Sequence, residues 1–152
     1  MRILFVCNAN IVRSFMAERL LKSKWSRDVQ AGREIASAGL LDMHGAPADP
    51  TARRILRENG IDDEGHQSRM VTEGLVAAAD LIVTMEEEQA QRLGERYPAV
   101  RDKVRLLKSY LPARHRDGGS QDIKDPYRRS IFDYRLCFAE ISLAVEEMRK
   151  CI

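Results

Sequence analysis

The chain has 152 residues, of which 44% are hydrophobic and 32% are charged, and its formal net charge is +2. These values predict a single domain over residues 1–152 with an ordinary buried core, and the near-balanced charge gives no indication of a nucleic-acid partner. No apolar run approaches the about 20 residues of a membrane span, and no secretory pattern precedes the first strand, so we expect a cytoplasmic protein. Three cysteines without a CxxC pair argue against a disulfide framework and against a zinc site.

Strands and helices are predicted to alternate along the chain. The pattern predicts buried strands over residues 2–6, 34–40, 81–85 and 103–108, and helices over 14–24, from Pro50 to Gly60, after Thr84, and over 130–150. Thr84 and Glu87 match a capping box for the third helix, and residues 109–129 are predicted to form a loop. This alternation indicates a three-layer α/β fold, in which helices flank a four-stranded parallel sheet.

The most informative segment, CNANIVRS, follows the first strand and runs from Cys7 to Ser14. Because it lies between a strand and a helix, its N–H groups and the helix dipole point at whatever occupies the loop. These surroundings favour the thiolate form of Cys7, and the guanidinium of Arg13 can bind two phosphate oxygens at once. A cysteine in this position is more often a small buried apolar residue, but here the loop between strand and helix predicts phosphoryl transfer to cysteine.

A second segment, DIKDPYRRS, follows the fourth predicted strand. Ligands of parallel sheets bind beyond the carboxyl ends of the strands, so this loop is expected to open on the same side as Cys7. Asp125 is the preferred proton donor for the leaving group, and Asp122 is its competitor. Tyr127 places an aromatic ring beside Asp125. Asp-Pro is also a common turn signal, which leaves open that Asp125 is a solvated loop residue.

Taken together, the two segments resemble the low-molecular-weight protein tyrosine phosphatases. That family carries V-C-x-G-N-x-C-R-S-P-M-A-E near its start and D-P-[YF] near its end, and this chain has VCNANIVRSFMAE and DPY in the same order. The segments ASAGL and ADLIVTM extend the resemblance over nearly the whole chain. It implies a phosphomonoester hydrolase, similar to bacterial members, that acts on phosphotyrosine proteins or small aryl phosphates through a phosphocysteine, without a cofactor or a metal.

The resemblance also implies residue roles. Cys7 would be the nucleophile, Arg13 would stabilise the transition state, and Asp125 would protonate the leaving group and then activate water. The residues that would bind the phosphate or the substrate are Asn8, Ala9, Asn10, Ile11, Val12, Ser14 and Tyr127. Among these, Asn10 would hold the loop at an unusual backbone angle and Ser14 would hydrogen-bond the thiolate. His66 would support the loop.

Several positions depart from the family pattern. Ala9 replaces a glycine and can crowd the phosphate, Val12 replaces a cysteine and removes a disulfide partner for Cys7, and Phe15 replaces a proline. Arg128 and Arg129 make the mouth of the site more basic, unless they are simply solvated charges. Ile11 resembles the aliphatic residue of tyrosine-directed members, where arginine-directed members carry threonine.

Other functions remain open from the residues alone. Ala9 is compatible with a phosphate-binding module that no longer turns over. Arsenate reduction would need further cysteines near the loop, but Cys137 and Cys151 are predicted to lie on the last helix, away from it. A nucleotide-binding α/β protein lacks support, because the chain has neither G-x-G-x-x-G nor a Walker loop.

Overall fold

A parallel sheet of four strands forms the centre of the computed structural model, which describes residues 1–25, 32–115 and 119–152. The strands are β1 (Arg2–Cys7), β2 (Glu34–Gly39), β3 (Leu81–Thr84) and β4 (Val104–Leu106). Their order across the sheet is β2-β1-β3-β4, so β1 has a parallel neighbour on each side. Its last residue, Cys7, pairs with Gly39 at the carboxyl edge of the sheet.

Helices cover both faces of this sheet. They are α1 (Arg13–Lys24), α2 (Pro50–Glu58), α3 (Glu73–Ala78), α4 (Glu87–Arg96) and α5 (Ile131–Arg149). On β1, Phe5 belongs to the apolar cluster formed with α1, α2 and α5, whereas the alternate residue Val6 belongs to the cluster formed with α3 and α4. The predicted α/β fold with helices on a four-stranded parallel sheet is therefore confirmed. Among the described residues, no helix is long and apolar enough to cross a membrane.

Local capping residues explain where two of the helices begin. The Asp49 carboxylate caps α2, because its Oδ1 accepts hydrogen bonds from the N–H groups of Thr51 (2.9 Å) and Ala52 (3.1 Å). Ser130 caps α5 through its hydroxyl oxygen, which accepts from the N–H of Asp133 at 3.2 Å. Each cap fixes the residue at which its helix begins.

A capping box begins α4, but it is formed by Glu86 and Gln89, and the predicted pair of Thr84 and Glu87 is wrong. The side chain of Gln89 caps this helix, since its Oε1 accepts the N–H groups of Met85 at 3.0 Å and Glu86 at 3.1 Å. The Thr84 hydroxyl instead donates to the carbonyl oxygen of Arg105 in β4, at 3.4 Å. Thr84 is still paired in β3. Its hydroxyl therefore bonds the neighbouring strand and does not reach the first turn of α4.

The last strand and the loop after it also differ from the prediction. β4 is shorter than the predicted strand over 103–108, because 3₁₀ helices form at Pro98–Lys103 and Leu107–Tyr110 on either side of it. The short helix α3 was not predicted. The predicted loop over 109–129 contains a further 3₁₀ turn, Ala113–His115, and residues 116–118 of that loop lie outside the described residues.

Candidate active site

The loop between β1 and α1 packs against the end of β2, and we call residues 8–12 the phosphate loop. The N–H of Leu41 donates to the carbonyl oxygen of Asn8 at 2.9 Å. A side chain on Gly39 would place its Cβ 2.6 Å from that same oxygen and 3.1 Å from the carbonyl carbon of Ala9. The loop can therefore take this path only because Gly39 has no side chain, a requirement that the sequence analysis missed.

Asn10 holds the phosphate loop from inside the protein. Its backbone has a φ of 59°, the left-handed conformation that asparagine tolerates better than most residues, and it is fully buried. Its side-chain amide donates to the hydroxyl oxygens of Ser14 and Ser37, each at 2.9 Å. Its Oδ1 accepts the N–H of Arg69 at 3.1 Å. All of these bonds lie on the buried side of the loop. The opposite side, which faces the cavity, therefore remains free for a ligand.

The bonding of Asn10 also sets the direction of the hydrogen bond at Cys7. The Sγ of Cys7 lies 3.0 Å from the Oγ of Ser14, and both side chains are buried. Because Ser14 Oγ already accepts a hydrogen bond from Asn10, its own hydrogen is available for the sulfur. A hydroxyl that donates to sulfur stabilises a thiolate and eases its departure as a leaving group.

His66 supports the same loop through the backbone of Asn10. Its Nε2 lies 2.6 Å from the carbonyl oxygen of Asn10, and since a carbonyl only accepts, Nε2 carries the hydrogen. Its ring packs on that of Phe15 with a centroid distance of 4.6 Å. Burial lowers the pKa of His66 below its ordinary value of 6.5, although the bond to Asn10 acts in the opposite direction.

Arg13 is the first residue of α1, and its side chain is only 1% exposed. Its Nη1 donates to the carboxylate of Glu86 and, at 2.8 Å, to the carbonyl oxygen of Ile123. Burial alone would lower the pKa of Arg13, but the negative charges of Cys7, Asp125 and Glu86 more than offset this and raise it. The guanidinium is therefore a fixed cation beside Cys7.

Glu86 is a site residue that the sequence analysis did not identify. It follows β3 at the same carboxyl edge as Cys7. This position after a strand is the sequence feature that could have identified Glu86 as a site residue. Gln89, which caps α4, donates to Glu86 Oε1 and also to the Oδ1 of Asn8, both at 3.2 Å. Asn8 therefore contacts α4 with its side chain and is not among the residues that line the cavity at Cys7.

The two aspartates of the later loop have different surroundings. Asp125 Oδ2 lies 3.4 Å from Arg13 Nη2, its Oδ1 accepts the N–H of Tyr127 at 3.1 Å, and its side chain is 45% exposed. Asp122 Oδ1 instead accepts the N–H of Glu87 at 2.8 Å, at the beginning of α4. Only Asp125 of the pair borders the cavity that contains Cys7.

That cavity has a volume of about 60 Å³ and opens between the phosphate loop and Tyr127. Its lining residues are Cys7, Ala9, Ile11, Val12, Arg13, Met43, Asp125 and Tyr127. The side chains of Asn10 and Ser14 do not line the cavity; they are buried and act on the site through hydrogen bonds. Met43, in the segment after β2, was not identified from the sequence, where no pattern marks it. The thiol of Cys7, the guanidinium of Arg13 and the exposed carboxylate of Asp125 therefore surround one cavity that is large enough for an anion.

The comparison with known families agrees with this geometry. The sequence model described as low molecular weight phosphotyrosine protein phosphatase matches residues 2–152. The chain belongs to this family.

Individual relatives cover most of the chain. It is 35% identical over 144 residues to the probable low molecular weight protein-tyrosine-phosphatase EpsP of Ralstonia nicotianae, covering 95% of this chain and 90% of that protein. It is 31% identical over 147 residues to a protein-arginine-phosphatase of Geobacillus stearothermophilus, covering 97% and 93%. The structure of Vibrio vulnificus Wzb in complex with benzylphosphonate matches with a TM-score of 0.85 and 32% identity, covering 99% of this chain and 98% of that one.

The other two cysteines differ in burial and in distance from the site. Cys137 lies in α5 and is buried, as predicted, and burial raises the pKa of its thiol to about 12. It lies nearer the site than predicted, because it lines a neighbouring groove of about 520 Å³ together with Glu86 and Asp125. Cys151 is exposed, after the end of α5. Within the described residues, no group of three or more His, Cys, Asp or Glu side chains is arranged to hold a metal ion.

Proposed function

We propose that the chain is a protein tyrosine phosphatase that works through a phosphocysteine at Cys7. The observation that carries this proposal is the arrangement of Cys7, Arg13 and Asp125 around one small cavity. The alternative of a phosphate-binding module without turnover is not favoured, because a binding module has no need for a proton donor opposite the thiol.

In the first proposed step, the Cys7 thiolate attacks phosphorus and the bond between phosphorus and the ester oxygen breaks. Arg13 balances the charge of the phosphoryl oxygens, and the loop N–H groups face the same oxygens. Asp125 donates its proton to the departing oxygen, and its partly exposed position lets the leaving group reach solvent. The products are phosphocysteine and a free hydroxyl compound.

In the second proposed step, the Asp125 carboxylate accepts a proton from water as the water oxygen attacks phosphocysteine. The bond between sulfur and phosphorus breaks, and sulfur leaves as a thiolate that the Ser14 hydroxyl stabilises. Inorganic phosphate departs and both side chains return to their starting forms, with Asp125 protonated. No cofactor or metal is required for either step.

The substrate class is supported by the walls of the cavity. Ile11, Met43 and Tyr127 present apolar and aromatic surface above the phosphate loop, which suits the ring of a phosphotyrosine. Relatives of both kinds exist, since one is named a tyrosine phosphatase and another an arginine phosphatase. Ile11 favours phosphotyrosine, because an aliphatic side chain offers nothing to the guanidinium of phosphoarginine.

The setting that we propose is a bacterial cytoplasm, with residues 1–152 as one domain. Support comes from the bacterial relatives and from the three free cysteines, of which Cys7 must stay reduced to act. The family match over residues 2–152 supports the single domain.

Direct hydrolysis assays test this function. The wild type and the Cys7→Ser variant are given p-nitrophenyl phosphate, a phosphotyrosine peptide and a phosphoarginine peptide at equal concentration. We expect the wild type to hydrolyse the two aryl substrates with higher kcat/KM than phosphoarginine. Cys7→Ser should abolish turnover, because a serine hydroxyl is not ionised at neutral pH, while orthophosphate should still bind. A wild type that prefers phosphoarginine would overturn the substrate class, and an active Cys7→Ser variant would overturn the mechanism.

A further inference from the structure

Tyr134 is a buried residue near the start of α5, the helix that follows the loop of Asp125. It belongs to the first turns of α5, directly after the loop that carries Asp125, and it is only 3% exposed. Its hydroxyl donates a hydrogen bond to Asp49 Oδ2 at 3.0 Å. The sequence analysis assigned no function to Tyr134.

Asp49 connects this hydroxyl to the phosphate loop. Its Oδ1 caps α2, which leaves Oδ2 for Tyr134. The N–H of Asp49 donates to the carbonyl oxygen of Ile11 at 3.0 Å. One residue therefore joins the start of α2, the phosphate loop and the first turns of α5.

The loop of Asp125 leads directly into the first turn of α5, which carries Tyr134. That loop makes a turn in which the N–H of Arg129 donates to the carbonyl oxygen of Pro126 at 2.9 Å and Arg128 has a φ of 62°. Burial, followed by the Asp49 carboxylate, raises the pKa of Tyr134, so the phenol keeps the hydrogen that it donates.

We infer that Tyr134 is a positioning residue. Its hydroxyl bond to Asp49 ties the start of α5, and with it the loop of Asp125 that leads into α5, to the phosphate loop. Asp125 itself is 45% exposed, and its side chain has two contacts, the N–H of Tyr127 and the guanidinium of Arg13. An exposed carboxylate needs a fixed backbone to meet a leaving oxygen reproducibly, since a small displacement weakens proton transfer. This inference rests on the proposed function of Asp125 as the general acid.

A purely structural role is the rival explanation, because the ring of Tyr134 belongs to the apolar core. The two roles differ in their dependence on Asp125. A residue that acts through Asp125 affects substrates with poor leaving groups most, and its effect disappears when Asp125 can no longer donate a proton. A structural residue lowers all activities alike and does so with or without the acid.

The experiment compares Tyr134→Phe in the wild type and in Asp125→Asn, with phenyl phosphate and p-nitrophenyl phosphate. In the wild type we expect kcat/KM for phenyl phosphate to fall by about 3- to 10-fold, the size of one hydrogen bond, and for p-nitrophenyl phosphate to fall less. In Asp125→Asn we expect Tyr134→Phe to cause no further loss. Tyr110→Phe is the matched control, since it removes a half-buried phenol from the 3₁₀ helix Leu107–Tyr110.

A second variant keeps the test valid if Tyr134→Phe folds poorly. Asp49→Asn retains an oxygen that can cap α2 but replaces the acceptor of the Tyr134 hydroxyl by an amide donor. We expect it to reproduce the dependence on leaving group. An equal loss for both substrates, or an undiminished loss in Asp125→Asn, would overturn the inference and leave the proposed function intact. A wild type that hydrolyses neither substrate would overturn the proposed function, and the inference with it.

Discussion

The phosphate loop and the loop of Asp125 meet at Arg13, yet they are held in opposite ways. Asn10 and Ser14 are fully buried, and each makes hydrogen bonds behind the phosphate loop. Asp125 and Tyr127 are 45% and 44% exposed. The difference in exposure corresponds to two tasks, the binding of an anion and the donation of a proton. Binding an anion benefits from donors that are fixed before the ligand arrives, whereas a proton donor must exchange with water and let a product leave.

The largest expected effect comes from removing the acid. Asp125→Asn should lower kcat by ~10²–10⁴-fold, because the amide cannot donate a proton to the leaving oxygen. Its effect on the affinity for orthophosphate should be small, since the phosphate loop is held independently. Steady-state kinetics and inhibition by phosphate measure the two quantities. Asp122→Asn is the matched control, and a larger loss of kcat in that variant would mean that the acid has been assigned to the wrong carboxylate.

The second prediction targets the phosphate loop. Gly39→Ala should weaken phosphate binding by about tenfold or more and lower the free energy of unfolding by about 1–3 kcal/mol, because its Cβ would meet the Asn8 carbonyl. The inhibition constant of phosphate and urea denaturation measure these effects. Gly74→Ala is the control, since the nearest atom to its Cβ would be Thr72 Oγ1 at 3.9 Å. Unchanged phosphate binding in Gly39→Ala would show that the loop moves freely and would remove the contrast between the two loops.

The parts of the site that were predictable from sequence are those built from neighbouring residues. Cys7, Arg13 and Ser14 belong to one strand, loop and helix, whose apolar run and helical pattern are visible in the sequence. Asp125 was predictable because parallel strands bring their carboxyl ends to one edge, and Asp-Pro-Tyr lies after the last of them.

Contacts between residues from distant segments of the chain were not predictable from the sequence. Glu86 binds Arg13 from 73 residues away, and Tyr134 binds Asp49 from 85 residues away. Such contacts depend on the packing of whole elements, to which a single sequence gives no guide. The requirement for glycine at position 39 has the same origin. It arises from the close approach of the phosphate loop, which follows β1, and not from the backbone angle of Gly39. The end of the last strand was predicted incorrectly for a local reason. The alternation of residues 107–110 is compatible with either a strand or a turn.

The third prediction concerns the methyl group of Ala9, with a smaller expected effect. The φ of Ala9 is negative, so no backbone strain accompanies the alanine, and only its volume in the cavity matters. Ala9→Gly should raise kcat/KM by no more than about tenfold, by giving the phosphate more room. Kinetics with p-nitrophenyl phosphate measure it. An unchanged or lower value would show that the loop has adapted to the alanine.

The smallest effect is a dependence of stability on pH that originates behind the phosphate loop. Burial lowers the pKa of His66 in the folded protein from its ordinary value of 6.5, so between the two values the unfolded chain binds more protons. The free energy of unfolding contributed by neutral His66 is therefore fully present above the unfolded pKa, and it is lost as the pH falls through 6.5 towards the lower folded value. Protonation would add a charge at Nδ1 beside the buried loop, because Nε2 already carries the hydrogen bonded to Asn10.

His66→Gln tests this dependence, since its amide can replace the Nε2 donor but does not titrate. Urea midpoints between about pH 7.5 and pH 5.5 should fall less steeply in His66→Gln than in the wild type. His44→Gln, which removes an exposed imidazole, is the matched control. The segment 119–130, which carries Asp125, contains no histidine. The same titration should therefore leave the dependence of kcat/KM on the leaving group at each pH equal in His66→Gln and the wild type. If that dependence changed with His66 protonation, the contact of His66 with the phosphate loop would also affect Asp125, and the effect of His66 would not be limited to stability.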